Sequence, residues 1–453
     1  MVYFKQHSII MMLTAAFTLT ACSSQPSYQG PTTEASLQQH SQWQYQQDNA
    51  EQANYITDLV EVQGLSELIN QALKNNPSLN QVHVALKLAY AQRDVTAASQ
   101  WFSIDAGFDA QRSETSGTEY SSSIDVSWEA DIWQKIADNV AAQDMTVASE
   151  QATLQAAKDT LVATVIRTYL NIILQHDLLA IEQQRLVVLE NNEQSIIERY
   201  QYGLEDLEDL DTARTDTAST RATIAQYQED LAQAKRALVL LLGVDEIEKL
   251  PTISSFPKVM QPLSALPKQD LARRPDLQSA YYTIQAKRYL VDVAYKDLLP
   301  SISLSASLSD LAKTPRQALL TSPVWSLLGG ITAPLFQGGA LKAQVEIAKL
   351  DAEDAFWQYQ DTLLSAVNEV ENALGQEQSL TEQQQHITRA LENAKRSYSN
   401  YQSKYQQGLV DILELLSVQQ QMYDLQAQLS QLNYTLLTNR IDLGLALGLG
   451  VSS

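Results

Sequence analysis

The sequence predicts a mainly α-helical fold with a small β part, in which one structural unit occurs twice. Only 15 glycines and 12 prolines occur among 453 residues, fewer than a loop-rich chain would carry. Two very long stretches without proline, residues 132–202 and 337–407, are predicted to be helical. A pair of short segments with alternating polarity precedes each of them. We therefore expect an internal two-fold repeat of β-hairpin and long helices.

The composition excludes several functional classes. The chain carries 31 basic and 53 acidic residues, and its net charge of -22 repels nucleic acid phosphates. Its single cysteine excludes an internal disulfide and a Cys-rich zinc site. The five histidines show no metal-ligand spacing, and no Gly-rich phosphate loop follows a predicted strand. We expect no catalytic site, no cofactor, no metal and no nucleic acid partner.

The first residues are predicted to be a secretory signal peptide. Lys5 precedes the apolar stretch 9–19, which is too short to span a bilayer. The following Leu19-Thr20-Ala21-Cys22 resembles the lipobox of bacterial lipoproteins. An ordinary signal peptide with a chance cysteine is the alternative.

The lipobox resemblance implies how the mature chain begins. Residues 1–21 are removed by signal peptidase, and Cys22 is acylated, which anchors the chain firmly to lipid. Ser23, rather than an aspartate, follows the cysteine, and in lipoproteins this resembles a signal for export to the outer membrane. Residues 22–60 are polar and rich in glutamine, and we expect an extended leader.

The mature chain contains an internal sequence repeat. Leu65-Ser66 and Asn76-Pro77-Ser78-Leu79 return as Leu263-Ser264 and Arg274-Pro275-Asp276-Leu277, and Tyr200-Gln201-Tyr202-Gly203-Leu204 returns as Tyr405-Gln406-Gln407-Gly408-Leu409. The first repeat is predicted to span residues 61–243 and the second 263–450. Residues 244–262 contain three prolines and are predicted to be a linker. Each repeat is predicted to begin with a helix whose first residue is a proline, Pro77 or Pro275.

Each repeat then contains a predicted β-hairpin, at about residues 101–130 and 300–334. Polarity alternates strictly along the first strand. One side carries Phe102, Ile104, Ala106, Phe108 and Ala110, and the other Ser103, Asp105, Gly107, Asp109 and Gln111. The second strand places Ile124, Val126 and Trp128 opposite Asp125 and Glu129, and the second hairpin repeats the pattern with Ile302, Leu304, Leu308, Trp325, Leu327 and Ile331 on its apolar side.

Strands of about ten residues with one apolar and one polar face are typical of outer-membrane barrels. A half-exposed sheet in a soluble domain is the alternative. Four strands cannot close a barrel, because the smallest closed barrels need about eight. If these strands enter lipid, several subunits must share one barrel.

The long stretches predict helices of about 70 residues, which span about 105 Å and must project into a compartment. Apolar residues recur every seven positions at Val140, Val147, Leu154 and Leu161, and after a step of four at Val165, Ile172, Leu179 and Leu186. Such a stutter straightens a coiled coil, so that helices can wall a tube. Gly203 and Gly408 are predicted to cap the turns of two helical hairpins.

These features together resemble the TolC-like outer-membrane factors. The resemblance is carried by the repeat, by Ser127-Trp128-Glu129-Ala130-Asp131-Ile132-Trp133, by Ala272-Arg273-Arg274-Pro275-Asp276-Leu277 and by the paired Tyr-x-x-Gly-Leu turns, over about residues 60–450. With its lipobox, the chain resembles the NodT-type lipoprotein branch, the outer component of resistance-nodulation-division efflux systems. One departure is Gln134, where family members often have glycine.

The resemblance implies a homotrimer with a twelve-stranded barrel in the outer membrane and an α-helical barrel in the periplasm. It implies contact with outer-membrane lipid, docking to a periplasmic adaptor protein and an inner-membrane pump, and passage of small molecules such as drugs or toxic compounds to the outside. Export of a protein or polysaccharide is an alternative within the family. A lipid-anchored structural coiled coil or adhesin without a pore is the alternative from another class.

Residue roles transfer from the family at the helical turns. The resemblance implies that Gly203, Leu204, Gly408 and Leu409 contact the adaptor, and that Asp206, Asp209, Asp411 and Glu414 contribute to an acidic ring at the periplasmic gate. The alternatives are a helix cap with a packed leucine and a solvated acidic helix start. The polar strand face places Asp105, Asp109, Asp125 and Glu129 in the barrel lumen, which predicts a cation-preferring conduit.

Overall fold

A computed structural model describes residues 33, 42–44, 51–115, 117–204, 206–246, 255–264 and 267–451. Cys22 and the predicted signal peptide, residues 1–21, lie outside the described residues. Most of the predicted leader and part of the predicted linker lie outside them as well.

The described residues form eight α-helices and four strands, and the sheet order follows the chain order. The elements are α1 (Leu65–Asn75), α2 (Pro77–Ala98), β1 (Ser103–Ser113), β2 (Gly117–Glu129), α3 (Lys135–Gln201), α4 (Leu207–Leu242), α5 (Pro267–Arg273), α6 (Pro275–Lys296), β3 (Ser301–Ala312), β4 (Val324–Thr332), α7 (Ala340–Gln406) and α8 (Ile412–Ala446). All neighbouring strands are antiparallel. The predicted fold class, mainly helical with a small antiparallel sheet, is confirmed.

The chain divides into two compact units, and each repeat contributes to both. The first unit comprises Ala85–Ala152 and Gln278–Asp361, and therefore holds the whole sheet. Its helices are joined by polar contacts. The Arg93 guanidinium of α2 lies 2.9 Å from the Asp144 carboxylate of α3, Lys296 of α6 pairs with Asp138 of α3, and the Nζ of Lys287 of α6 lies 3.4 Å from an oxygen of Asp351 of α7.

The second unit contains Thr153–Leu277 and Thr362–Ser453, and its long helices form a row. Arg221 of α4 lies 2.9 Å from Glu190 of α3. Asn192 of α3 donates to the Gln419 side chain of α8 at 3.1 Å. The row is completed by α8 and α7, where Arg440 lies 2.8 Å from Glu377. The contacts give the order α4, α3, α8, α7.

The core of the second unit follows the predicted heptad positions. Val165 and Ile172 are fully buried among residues of α1, α4 and α8. Removing each of these side chains from water contributes about 1.5–3 kcal/mol. On α8, Leu415, Leu436 and Leu443 are likewise buried. Leu179 and Leu186, after the stutter, are only half-buried, because Leu178 and Ile181 take the buried positions there.

Arg274, in the segment that carried part of the resemblance, is a buried cation with three partners. Its guanidinium lies 2.7 Å from a carboxylate oxygen of Asp276 and 2.7 Å from one of Glu369. It also donates to the carbonyl of Ala446 at 3.1 Å. A buried charge is tolerated only when it is paired in this way, so Arg274 fixes α6, α7 and α8 to one another.

The bend between β2 and α3 is made by Gln134 in a left-handed conformation. Its φ is 60°, close to the value of Gly338 at the corresponding bend of the second repeat. Asp131 then caps α3, because its carboxylate accepts from the backbone N–H of Ile136 at 3.0 Å and of Ala137 at 2.8 Å. The bend that the second repeat makes with Gly338 is thus made with a glutamine in the first repeat.

Candidate functional site

The register of the sheet collects apolar side chains on one face across all four strands. Ile104 pairs with Val126, which pairs with Ala306, which pairs with Leu327. The next row runs through Ala106, Ile124, Leu308 and Trp325. Because side chains alternate along a strand, the apolar face is continuous.

This apolar face is exposed in the described chain. Trp325 is 75% exposed and Ile331 74% exposed. Ile104, Phe108, Trp128, Leu304 and Leu327 are exposed as well. A continuous exposed patch of this kind marks a surface that another phase or partner covers.

The opposite face carries all four acids predicted for the lumen, Asp105, Asp109, Asp125 and Glu129. Asp105 lies directly opposite Asp125, and Asp109 lies four residues further along β1, opposite Ser121. The Ser123 hydroxyl donates to Asp125 at 2.7 Å. Glu129 differs from the others, since its carboxylate lies 3.1 Å from the Nζ of Lys135.

Exposed aromatic side chains lie at the end of the sheet that is connected to the helices. Trp101 and Phe102 immediately precede β1, and Phe336, which is 90% exposed, follows β4. Aromatic girdles of this kind flank the apolar band of membrane barrels. No sequence motif assigned a role to Trp101 or Phe336. Their position beside a predicted strand end was the signal available.

The two predicted turns of the helical hairpins have the same geometry. Gly203 and Gly408 have φ values of 69° and 70°. The N–H of Gly203 bonds to the carbonyl of Tyr200 and that of Leu204 to the carbonyl of Arg199, each at 2.9 Å. Gly408 and Leu409 repeat both bonds, so each helix ends in a Schellman motif. Leu204 and Leu409 are 65% and 68% exposed, so they are not packed leucines.

The predicted gate acids lie where α4 and α8 begin. The Asp206 carboxylate accepts from the backbone N–H of Asp209 at 3.0 Å, and Asp411 accepts from that of Glu414 at 2.9 Å. Each aspartate therefore caps a helix, a role that the dipole of the helix favours. Asp206, Asp411 and Glu414 are exposed to solvent.

One apolar cluster joins the two turns. It contains Leu189, Ile196, Leu210, Ile412 and Leu415, with Tyr398, Tyr401 and Tyr405 at its margin. The Arg199 guanidinium lies 5.9 Å from the centre of the Tyr405 ring, a cation–π contact between α3 and α7. The helix ends next to both exposed leucines thus share one apolar cluster.

The described residues offer little sign of a metal site. They contain no group of three or more metal-ligating side chains that could hold an ion. No helix among them has the length and apolar character needed to cross a membrane.

Comparison with known proteins identifies the family. Residues 68–244 and 266–449 match the model of the outer membrane efflux protein family. The chain belongs to this family. The cation efflux system protein CusC of Escherichia coli (strain K12) is 28% identical over 455 residues, which cover 97% of this chain and 99% of that protein. The pyoverdine export outer membrane protein OpmQ of Pseudomonas putida is 26% identical over 412 residues, covering 85% and 86%.

Solved structures give the same result for the outer membrane efflux fold. A crystal structure of CusC superimposes with a TM-score of 0.83 at 26% identity, covering 94% of this chain and 100% of that one. The predicted TolC-like fold, outer-membrane location and efflux role are thereby confirmed. The roles of individual residues and the boundaries of the repeats stay predictions.

Proposed function

We propose that this outer membrane efflux protein is the homotrimeric exit duct of a tripartite system. Three chains share one twelve-stranded barrel in the outer membrane, and their long helices form a tunnel in the periplasm. A periplasmic adaptor and an inner-membrane pump deliver cargo to the tunnel. Acylation of Cys22 attaches each chain to lipid.

The observation that carries this proposal is the exposed apolar face of the sheet. A soluble cap domain would bury that face against a helix or a second sheet, whereas Trp325 and Ile331 are about three-quarters exposed. In a membrane, lipid covers these apolar side chains, and no further layer of protein is needed. This favours a membrane barrel over a structural coiled coil or adhesin.

The sheet edges support sharing of the barrel between subunits. Among the described residues, β1 and β4 each pair with one strand only. An unpaired strand edge cannot face hydrocarbon, because its N–H and C=O groups would lose water without gaining partners. Closing β4 of one chain on β1 of the next removes all such edges. Three chains of four strands give a barrel above the minimum of about eight.

The polar face then lines the lumen. Asp105, Asp109 and Asp125 from three chains would focus a negative potential on the pathway, while Lys135 offsets the charge of Glu129. We infer a cation-preferring conduit. Asp206, Asp209, Asp411 and Glu414 would add a second acidic zone at the tunnel entrance.

The helical turns are the proposed docking points for the adaptor. Leu204 and Leu409 offer exposed apolar side chains on two Schellman turns that one cluster holds together. An adaptor that covers them gains apolar burial without reordering the turns. Relatives named for cation efflux and pyoverdine export support a small-molecule cargo.

Conductance of the purified full-length protein in a planar bilayer tests this function. Discrete openings, with a reversal potential of cationic sign under a salt gradient, are expected from a trimer that survives mild detergent. Absence of conductance in folded protein, also after Asp411→Asn and Glu414→Gln relieve an acidic gate, would establish the structural coiled coil instead. Deleting residues 100–130 separates the two readings again, since a structural coil would remain trimeric and a shared barrel would not.

A further inference from the structure

The segment between β3 and β4, residues 313–323, is folded back onto the apolar face of the sheet. The Ser122 hydroxyl of β2 donates to the carbonyl of Ala318 in this segment. Ala318 is completely buried. Ser122 has the same side-chain direction as Ile124 and Trp128, so the contact lies on the face proposed to meet lipid.

Asp310 of β3 fixes the other end of the segment. Its carboxylate accepts from the backbone N–H of Ser322 at 3.0 Å and from the Thr321 hydroxyl at 3.4 Å. Asp310 lies directly opposite Ser122, on the same face, and is buried. The segment therefore covers two polar side chains that would otherwise interrupt the apolar face at the end of the sheet distant from the helices.

The outer side of the segment is basic and apolar. Its middle forms a helical turn, since the backbone N–H groups of Gln317 and Ala318 both bond to the carbonyl of Thr314 at 3.2 Å. Spacing by three on such a turn places Arg316 and Leu319 on one side, and Lys313 lies immediately before the turn. All three are exposed, Leu319 by 63%.

The charge of this side contrasts with that of the whole protein. Residues 313–323 carry two basic residues and no acid, in a chain of net charge -22. At the boundary between headgroups and hydrocarbon, lysine and arginine bind the phosphorylated headgroups, and an apolar side chain enters the hydrocarbon. Arginine in particular can bind phosphate through two parallel hydrogen bonds.

We propose that residues 313–323 bind the phosphate groups of a glycolipid in the outer leaflet, through Lys313 and Arg316, with Leu319 in the hydrocarbon. The inference rests on the proposed function, because it requires that the sheet spans the membrane with this segment on the outer side. The segment then fixes the depth of the barrel in the lipid.

Native mass spectrometry of the detergent-solubilised full-length protein tests the proposal. The probes are diphosphoryl lipid A, its dephosphorylated form and phosphatidylethanolamine. The wild type is expected to prefer diphosphoryl lipid A over the dephosphorylated form by about thirty-fold, the order expected for two basic residues at an anionic lipid surface. The double variant Lys313→Gln with Arg316→Gln is expected to lose this preference.

A matched control removes the same charge elsewhere. Arg389→Gln with Lys395→Gln changes two exposed residues of α7 and is expected to keep the preference. Both double variants are expected to keep the wild-type conductance. Equal binding of the two lipid A forms by the wild type, or an unchanged preference in the Lys313 and Arg316 variant, would overturn the proposal. A wild type without conductance would overturn the pore itself, which is a separate outcome.

Discussion

Asp105 and Asp125 lie directly opposite each other on neighbouring antiparallel strands, on the polar face of the sheet. Like charges in such a cross-strand pair are destabilising. The Ser123 hydroxyl offsets part of this cost by donating to Asp125. A pair that costs stability and faces the proposed lumen is the arrangement expected of a residue pair that acts on permeating ions.

Neutralising this pair should weaken the cation preference of the pore. The variant Asp105→Asn with Asp125→Asn is expected to move the reversal potential under a salt gradient toward zero, because the negative potential along the pathway falls. Asp105→Asn alone should stabilise the folded protein by about 0.5 kcal/mol through relief of like-charge repulsion. Glu67→Gln, on an exposed position of α1, is the control. An unchanged reversal potential would remove these two residues from the lumen.

Shortening the exposed leucines at the helical turns should weaken adaptor binding. Leu204→Ser with Leu409→Ser is expected to raise the Kd for the adaptor at least about ten-fold, since each leucine that docks buries a whole apolar side chain. The Schellman turns use backbone groups and should persist. Leu240→Ser, an equally exposed leucine at the other end of α4, is the control. Equal loss in both variants would contradict a specific role for the turns.

Gln134→Gly should stabilise the protein. A non-glycine residue in the left-handed region is strained, and relief of this strain is expected to contribute about 0.5–1 kcal/mol. Thermal unfolding followed by circular dichroism measures the change in Tm. Gln337→Gly is the control, because Gln337 directly precedes Gly338 in the corresponding bend and has no positive φ, so glycine there should lower Tm.

The Glu182 carboxyl should make stability depend on pH. Burial raises its pKa above the ordinary value of 4.5, and the nearby Asp424 acts in the same direction, although Arg185 opposes both. Tyr227 and Tyr423 also face this carboxyl. Because the folded-state pKa is raised, the folded protein favours the protonated Glu182 carboxyl. Protonation of Glu182 therefore stabilises the fold fully below pH 4.5, and this stabilisation is lost as pH rises through the folded-state pKa.

Glu182→Gln tests this dependence. The variant should have a higher Tm than the wild type at pH 7.5, and the difference should shrink as pH falls toward 4.5. Arg185 keeps Asp424 as a partner at 3.4 Å, so the substitution leaves no unpaired buried cation. Glu198→Gln, exposed on the same helix, controls for removal of one charge. A difference that stays constant with pH would show that ionisation of Glu182 is not its cause.

Local patterns predicted most of the fold. Alternation of polarity has a period of two residues, so it assigned Ile104, Val126, Leu304 and Trp325 to one face before any pairing was known. The seven-residue spacing likewise selected Val140, Val147 and Val165, all of which are buried. These predictions succeed because a single periodicity fixes which side chains point to the same side.

Contacts between distant segments could not be predicted in the same way. Nothing near Ala318 indicates that its carbonyl bonds to Ser122, 196 residues away. Trp43 of the leader donates to Asp270 at 3.2 Å and packs against α7 and α8, although the leader has no periodic pattern. The gate acids show a third limit, because an aspartate before a helix is compatible with both a cap and a pore ring, and sequence spacing does not separate them.

Within the part of the chain that the structure describes, β1 and β4 each have one unpaired edge, which has a consequence for how this protein is made. A single chain in the periplasm would offer two adhesive strand edges to any other unfolded protein. If a single chain entered the membrane before assembly, the unpaired backbone groups of those edges would face hydrocarbon. If three chains share the barrel as proposed, insertion must be coupled to closure of the barrel, so that the edges of β1 and β4 are paired before they meet hydrocarbon.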